Sequence, residues 1–305
     1  MSLEKYRGVI PAFYACYEED GSVSAERTRQ LARYLVNKGV KGLYVGGSSG
    51  ECIYLEKEER MTILEAVMEE VKGECTIIAH VACNNTNESC QLAAHAESLG
   101  VDAIASIPPI YFRLPDHAIA KYWNAMSEAA PNTDFVIYNI PQLAGVALSV
   151  GLLKEMRKNP HVIGVKNSSM PTQDIQMFKA AMGETGVVFN GPDEQYVAGR
   201  AIGAEGGIGG TYAVMPELFL KMEELIRAGK QEEARRVQYD VNEIIYAMCA
   251  CHGNLYAVMK KIIALREGLQ LGGVRAPLAD VVESDLPQIE KCAQMISQAV
   301  AKYCA

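Results

Sequence analysis

The stretch GLYVGGSSGECIYLEKEERMTILEAVMEEVKG, residues 42–73, contains the repeating unit from which the fold can be predicted. It begins with a short apolar run, passes through a loop rich in glycine and serine, and ends in a segment with the spacing of an amphipathic helix. The same order of apolar run, loop and helical segment recurs along the chain. Strands and helices therefore alternate, which is the pattern of a parallel sheet.

Eight apolar runs are predicted as strands, at residues 8–16, 42–47, 75–83, 102–109, 134–141, 162–169, 187–191 and 206–210. Helices are predicted between and after them, at residues 24–39, 55–73, 87–100, 115–130, 148–159, 171–183, 193–203 and 215–229. In the first helix, Ser24 can cap the first turn and Gly39 can end the last. Near-continuous apolar strands imply a parallel sheet that is buried on both faces. Eight strand–helix units in about 230 residues fit an α/β fold of the (β/α)₈ TIM-barrel type better than a doubly wound sheet.

The pattern changes after residue 229, where only helical segments remain. Three helices are predicted, at residues 230–253, 254–271 and 283–305, with the stretch GGVRAPLADVV between the last two. We therefore expect a barrel over residues 1–229 and a C-terminal three-helix extension over residues 230–305. Since no low-complexity linker separates them, the extension should pack on the barrel.

The composition argues against several classes of protein. The 305 residues are 49% hydrophobic and 22% charged, and they contain no apolar run of the roughly 18 residues that a transmembrane helix needs. The opening residues MSLEKYRGVIPAF lack the apolar region of a secretory signal, so a cytoplasmic protein is expected. A net charge of −8 without a basic stripe disfavours nucleic acid as a partner.

Metal binding and disulfides are not expected. The nine cysteines form no C-x-x-C pair, which suits free thiols in a reducing compartment. The stretch CACH, residues 249–252, falls on a predicted helix where positions i and i+2 face apart, so packing explains it better than metal ligation. The five histidines are spread along the chain and none is spaced with acids as ligands are.

Two strand ends carry reactive side chains. Lys166 lies in the otherwise apolar run VIGVKNSS, where burial favours the neutral amine that acts as a nucleophile. A lysine that snorkels from a strand end is the alternative. Tyr138 lies in FVIYNIP, near the rim because Pro141 follows it, and its phenol can move a proton at a bound carbonyl or hydroxyl. Its alternative is a barrel-filling core residue.

The loop GGSSGE, residues 46–51, is not a phosphate loop. It lacks the spacing and the lysine of G-x-x-x-x-G-K-[ST], and its glycines do not match G-x-G-x-x-G. The hydroxyls of Ser48 and Ser49, with backbone N–H groups, suit a small planar anion such as a carboxylate. A purely structural turn is the alternative.

Two further stretches belong to the same rim. Asp193 and Glu194 follow the seventh strand in FNGPDEQY, and they either face hydroxyl-rich ligands or form a charge pair at a helix N-terminus. The glycine-rich stretch GGIGGTY follows the eighth strand.

Taken together and in this order, GGSSGE, YNIP, VIGVKNSS, NGPDE and GGIGGTY resemble the N-acetylneuraminate lyase and dihydrodipicolinate synthase superfamily, from about residue 6 to the C-terminus. Members of that family are (β/α)₈ barrels with a helical C-terminal extension, usually homotetramers. They hold pyruvate as a Schiff base on a lysine of the sixth strand and need no metal or organic cofactor. The resemblance implies a pyruvate-dependent class I aldolase.

The resemblance also implies residue roles. Lys166 matches the Schiff-base lysine and Tyr138 the proton-transfer tyrosine. Ser48 and Ser49 match the pair that binds the pyruvate carboxylate. Tyr111, in PPIYFRLP, matches a tyrosine that reaches the neighbouring subunit's site.

One position separates the branches of the family. Dihydrodipicolinate synthases have an arginine shortly after YN-x-P, whereas Leu143 stands there in this chain. The leucine resembles the sialic acid lyase branch, which cleaves N-acetylneuraminate to N-acetylmannosamine and pyruvate. In that branch the sugar contacts correspond to Ser168, Gly191, Asp193, Glu194, Gly209 and Gly210. The sequence departs from the branch at Gly210, where a serine is usual, and at Pro192.

The alternatives are a dihydrodipicolinate synthase, another 2-keto-3-deoxy acid aldolase of the family, and, in a different class, a non-catalytic protein that binds a sugar acid on an inherited barrel.

The family often has threonine where this chain has Ser49, and the extra methyl of threonine restricts its χ1 angle. A Ser49→Thr variant is therefore expected to bind pyruvate more tightly than the present protein, as measured by calorimetric titration. Equal or weaker binding by the variant would contradict this reading of the loop.

Overall fold

The computed structural model describes residues 3–304. Its eight strands are β1 (Val9–Pro11), β2 (Gly42–Val45), β3 (Thr76–His80), β4 (Ala103–Ser106), β5 (Asp134–Asn139), β6 (Val162–Asn167), β7 (Val187–Asn190) and β8 (Gly206–Gly209). All are parallel and neighbours in sequence are neighbours in space, with β1 beside β8. An isolated parallel bridge between Ala12 and Tyr44 joins the two ends of the sheet. The predicted (β/α)₈ barrel is confirmed.

The helices follow the strands as predicted, with one addition. They are α1 (Ala25–Asn37), α2 (Lys57–Val71), α3 (Thr86–Leu99), α4 (Asp116–Ala129), α5 (Pro141–Ala144), α6 (Val150–Met156), α7 (Gln173–Met182), α8 (Tyr196–Ala201), α9 (Pro216–Arg227), α10 (Gln231–Cys249), α11 (Leu255–Glu267) and α12 (Leu286–Tyr303).

The first helix begins and ends where its sequence indicates. The Ser24 side chain accepts a hydrogen bond from Arg27 N at 3.2 Å, a cap that contributes about 1 kcal/mol. Gly39 follows the last turn with φ +88°, a conformation that glycine adopts without strain.

Predicted strand runs extended too far at their carboxyl ends. The first was predicted over residues 8–16, but β1 ends at Pro11. Residues 13–16 are apolar because they are covered by other parts of the chain, being at most 1% exposed, and not because they belong to the sheet. Apolar composition reports burial, so it does not locate the end of a buried strand.

The short helix α5 was missed. Pro141 was expected to end the fifth strand, but β5 ends at Asn139 and Pro141 begins a single helical turn. Proline favours the first helical position because its φ is already helical and its missing N–H has no partner there.

Apolar side chains form two cores. The inner core fills the barrel with alternate residues of the strands, among them Ile10, Tyr44, Ile78, Val136, Tyr138, Phe189 and Ile208. The outer core lies between the strands and the surrounding helices. This alternation decides which strand residues face the barrel axis.

The C-terminal helices pack directly on the barrel helices. Helix α10 contacts α8 and α9, and α12 contacts α9, α10 and α11. The boundary at residues 229 and 230 falls between α9 and α10 and stays a prediction. The nine cysteines are free thiols. Within residues 3–304, no helix combines the length and hydrophobicity needed to cross a bilayer.

Gly206 in β8 lies close to the backbone of Gly8, the residue just before β1. A Cβ there would lie 2.2 Å from the Gly8 carbonyl oxygen, and backbone cannot move aside as a flexible side chain can. We expect Gly206→Ala to lower the free energy of unfolding by about 3 kcal/mol, measured by urea denaturation. Gly151→Ala is the control, because Gly151 is an exposed residue of α6 whose nearest new contact is Ser149 Oγ at 3.6 Å. It should raise stability by about 0.5–1 kcal/mol, and equal effects of the two variants would contradict the prediction.

Candidate active site

Lys166 and Tyr138 lie side by side inside the barrel. The two residues are register partners on β6 and β5, and each is 3% exposed. Lys166 Nζ lies 3.9 Å from the centroid of the Tyr138 ring and 4.1 Å from that of Tyr44. The amine therefore points into the barrel with two phenols around it. A snorkelling lysine would instead be exposed at its tip.

Two residues that sequence reasoning did not select complete this layer. Tyr44 on β2 and His80 on β3 have ring centroids 5.8 and 6.1 Å from the Tyr138 ring. Burial, reinforced by the charge of Arg60, holds the pKa of His80 well below its usual range. The imidazole is therefore neutral near pH 7, and its Nδ1 atom, 2.9 Å from the Gly46 carbonyl oxygen, donates to it.

The positions of Tyr44 and His80 in their strands could have identified both as site residues. Tyr44 and His80 occupy the last inward-facing positions of β2 and β3, as Tyr138 and Lys166 do on their strands. Inspection of the inward position nearest each strand's carboxyl end would have found all four.

The serine loop follows β2 and forms one 3₁₀ turn, Ser48–Gly50. Ser49 is buried and Ser48 is half-buried. Gly47 is required there, because a Cβ would lie 2.5 Å from Cε1 of Tyr44.

Not all the N–H groups of the turn are free, which corrects the expected nest of exposed donors. Gly50, Glu51 and Cys52 each donate to carbonyls within the turn, at 3.0, 3.0 and 3.3 Å. A carboxylate bound here would rely on the two serine hydroxyls and on the N–H groups of Ser48 and Ser49.

The predicted sugar-contact residues lie together on the rim formed by β6, β7 and β8. Gly191 and Ser168 are in contact, since a Cβ on Gly191 would lie 2.0 Å from Ser168 Oγ. Asp193 Oδ1 would lie 1.9 Å from a Cβ on Gly209. Gly210 faces Ser49, whose Oγ would lie 3.0 Å from a Cβ on that glycine. The loops after β2 and β8, the two strands that flank β1, therefore meet at the barrel mouth.

The two acids of this rim differ in their surroundings. Asp193 is buried, and its Oδ2 accepts from both N and Oγ1 of Thr211 at 2.6 Å. Burial nevertheless raises the pKa of Asp193 from 3.8 to about 7. Glu194 is half-buried, and its carbonyl accepts from Asn242 Nδ2 at 3.0 Å. The Asp193 carboxylate thus links the loop after β7 to the loop after β8.

Tyr256 is a further site residue that sequence reasoning missed. It lies on α11, and its Cε1 is 4.0 Å from the position of a Cβ on Gly210. Burial and the nearby Tyr138 raise the pKa of its phenol well above the usual range, and a hydrogen bond with Ser49 partly offsets this shift. Its sequence, NLYAVMKK, gave only a helical pattern, so no local signal indicated this position.

Tyr111 is not brought to the cluster within one chain. It is 90% exposed, its ring lies edge to face with that of Phe112 at a centroid distance of 4.9 Å, and it has φ +86°, which is uncommon for a residue with a side chain. Leu143, on α5, is exposed.

No metal site is formed by the described part of the chain. Across residues 3–304, no group of three or more His, Cys, Asp or Glu side chains is placed to hold a metal ion. In the CACH stretch, His252 Nδ1 instead contacts Asp285 Oδ1 at 2.9 Å.

An amine and a phenol inside one end of a parallel barrel, with serines and acids on the surrounding loops, define a (β/α)₈-barrel protein equipped for covalent catalysis on a small carbonyl compound. A scan of family models matches residues 5–296 to the dihydrodipicolinate synthetase family. The chain belongs to that family.

Individual relatives are similar to this chain over nearly its whole length. A protein of Mediterraneibacter gnavus named N-acetylneuraminate lyase is 64% identical over 302 residues, which is 99% of this chain and 96% of the relative. One of the same name from Enterobacter sp. is 32% identical over 293 residues, 96% of this chain and 98% of the relative. The solved structure of a Ruminococcus gnavus sialic acid aldolase, a catalytic lysine mutant, has a TM-score of 0.98 at 64% identity and covers 99% of both chains.

The raised pKa of Asp193 has a consequence for stability. Its carboxyl group holds a proton more tightly in the folded protein than in the unfolded chain, so stability falls as pH rises from about 4 to about 7. Relative to an Asp193→Asn variant, the wild type should lose up to about 4 kcal/mol across that window, since a tenfold change in proton affinity corresponds to about 1.4 kcal/mol. Urea denaturation of both proteins at several pH values measures the difference.

Asp285 provides a control for which stability should change with pH in the opposite direction. Hydrogen bonds from the His252 backbone and side chain and from Gly253 N lower the pKa of Asp285. Relative to Asp285→Asn, the wild type should therefore gain stability as pH rises through the acidic range. If the stability difference between wild type and variant changed with pH in the same direction for Asp193→Asn and Asp285→Asn, the raised pKa assigned to Asp193 would be contradicted.

Proposed function

We propose that the protein is a Schiff-base aldolase that reversibly cleaves N-acetylneuraminate to N-acetylmannosamine and pyruvate. The observation that supports this most directly is the buried contact between the Lys166 amine and the Tyr138 ring on adjacent strands. The names of the relatives at 64% and 32% identity support the choice of substrate. The proposed chemistry uses no metal or organic cofactor.

The reaction begins at Lys166. Its neutral amine attacks the C2 ketone of the open-chain sugar acid, and loss of water from the carbinolamine leaves an iminium that acts as an electron sink. Ser48 and Ser49 hold the adjacent carboxylate, so C2 stays in front of the amine. Arg60, buried behind this layer, adds positive charge that favours an anionic substrate.

Tyr138 moves the proton of the bond-breaking step. Its phenol first gives its proton to the hydroxyl that leaves the carbinolamine as water. The phenolate oxygen then accepts the proton of the C4 hydroxyl, the C3–C4 bond breaks, and the electron pair passes into the iminium to form an enamine. N-acetylmannosamine leaves as the aldehyde. The Tyr138 phenol then gives this proton to C3 of the enamine. Addition of water to the resulting iminium, with one proton of the water passing to the phenolate, releases pyruvate and restores the Lys166 amine.

The rim residues would bind the part of the sugar that carries its remaining hydroxyls. Asp193, Glu194 and Ser168, with the backbone at Gly191, Gly209 and Gly210, would pair with its hydroxyls. Discrimination at such sites is strong, because a buried polar group left unpaired is costly.

The proposal extends to the assembly. In a cytoplasmic homotetramer, Tyr111 of one subunit would complete the site of its neighbour. The exposure of its ring and its left-handed backbone support this role, since strained conformations of non-glycine residues concentrate at functional positions.

Borohydride reduction in the presence of pyruvate tests the central assignment. Mass spectrometry should find one reduced adduct, on the peptide that contains Lys166. Lys166→Met, which keeps the length and loses the amine, should give no adduct and release pyruvate from N-acetylneuraminate at least ~10³-fold more slowly. An adduct elsewhere, or none, would show that Lys166 is not the nucleophile.

A substrate panel distinguishes the alternatives. N-acetylneuraminate should release pyruvate faster than shorter 2-keto-3-deoxy acids, and pyruvate should not condense with aspartate semialdehyde, because Leu143 offers no cation for its carboxylate. Calorimetric binding of N-acetylneuraminate without turnover would instead indicate a non-catalytic sugar-acid-binding protein.

A further inference from the structure

The loop of residues 46–51 is held at both ends by buried polar contacts. At its first residue, the Gly46 carbonyl accepts from His80 at 2.9 Å. At its last residue, Glu51 is 1% exposed and has a left-handed backbone with φ +56°. A residue with a side chain adopts that conformation at a cost, so the surroundings must hold it there.

The Glu51 carboxylate makes three contacts that bring distant parts of the chain together. Oε1 accepts from Lys260 Nζ at 2.8 Å, and Oε2 accepts from Tyr17 Oη at 3.0 Å and from Arg275 N at 2.7 Å. Lys260 and Arg275 both belong to the C-terminal region that follows the barrel. The last residue of the serine loop is therefore anchored to that region.

Lys260 is equally enclosed. It is 1% exposed, donates to the Gly273 carbonyl at 2.6 Å, and lies 4.7 Å from the centroid of the Tyr17 ring. A buried ion pair with all its partners present contributes little net stability, because desolvation offsets the attraction, and apolar residues of the same volume often serve as well. What this pair does supply is a defined direction for the Glu51 side chain.

The direction of Glu51 is transmitted to the serines through the turn. Glu51 N donates to Ser48 O at 3.0 Å, and Gly50 N donates to Gly47 O at 3.0 Å. Any shift of Glu51 therefore moves the backbone that carries Ser48 and Ser49. A displacement of about 1 Å at a positioning contact can reduce activity by as much as ~10²-fold.

We propose that Glu51 is a positioning residue, which uses its buried ion pair with Lys260 to set the two serines against the carboxylate of a keto acid. The inference rests on the proposed function, because it takes pyruvate as the ligand of this loop. It assigns to the C-terminal extension a part in substrate affinity. Neither Glu51 nor Lys260 touches the reacting atoms.

Three variants separate positioning from stability. Glu51→Gln and Lys260→Met each leave one buried charge without its partner, whereas the double variant Glu51→Gln/Lys260→Met leaves none. The single variants should therefore melt at lower temperature and the double variant should recover much of that loss. All three should need ~10-fold more pyruvate for half-maximal borohydride trapping at Lys166. In N-acetylneuraminate cleavage their KM should rise by a similar factor, with kcat changed less than ~3-fold.

A second buried ion pair is the matched control. Glu223 is 6% exposed and binds Arg200 at 2.8 Å, at the opposite face of the barrel, where it lines a cavity with Gly8 and Thr76. Glu223→Gln should lower the melting temperature as Glu51→Gln does and leave the pyruvate dependence of trapping unchanged.

The outcomes are distinct. If the double variant regains wild-type pyruvate dependence together with its stability, or if Glu223→Gln weakens pyruvate binding as much as Glu51→Gln, the ion pair is only a stabilising contact and the inference is wrong. If the wild type traps no pyruvate at Lys166, the proposed function fails instead. The half-maximal pyruvate concentration needs no sugar, so the inference can be judged even if N-acetylneuraminate is not the substrate.

Discussion

The in-register pairing of Tyr138 with Lys166 on parallel strands is the constraint on which the candidate site depends. Strand residues alternate between the two faces of a sheet, so a slip of one residue would turn either side chain out of the barrel. The next pair along the strands helps to hold this register. Asn139 Nδ2 donates to Asn167 Oδ1 at 2.7 Å, and both amides are buried. Because a buried amide without a partner is costly, the ladder favours one register over its neighbours.

Arg60 and His80 determine the charge around this pair. Arg60 donates to the carbonyls of His80 and Ala82 at 2.7 and 2.8 Å and remains buried. The surrounding apolar groups and the charge of Arg60 keep His80 neutral, so the imidazole serves as a hydrogen-bond donor to the serine loop and adds no further cation. The floor of the site is thus positive at Arg60, which suits a ligand with one carboxylate.

The C-terminal helices contribute to the site on two sides. Helix α11 places Tyr256 beside Gly210 and Lys260 beneath the serine loop. Helix α10 supports the loop after β7, where Gln238 Nε2 donates to the Asp193 carbonyl at 3.1 Å and Asn242 to that of Glu194 at 3.0 Å. The loops expected to hold the two ends of the substrate are therefore both supported by helices outside the barrel. A barrel without the C-terminal extension would remove these donors from the two carbonyls and would leave the Glu51 carboxylate with only Tyr17 Oη of its three partners.

The sequence by itself determined the barrel, because alternation of apolar strands and amphipathic helices is a local pattern that short windows display. It also indicated Lys166, Tyr138 and the serine loop, since a lysine or paired serines at the end of a buried strand are unusual in their own windows. Only the tertiary structure decided the neighbours of these residues. Tyr44 and His80 look like ordinary strand residues until the barrel closes, and Glu51 meets Lys260 across 209 positions of sequence. Such contacts depend on where separate elements pack, and local composition does not encode that geometry.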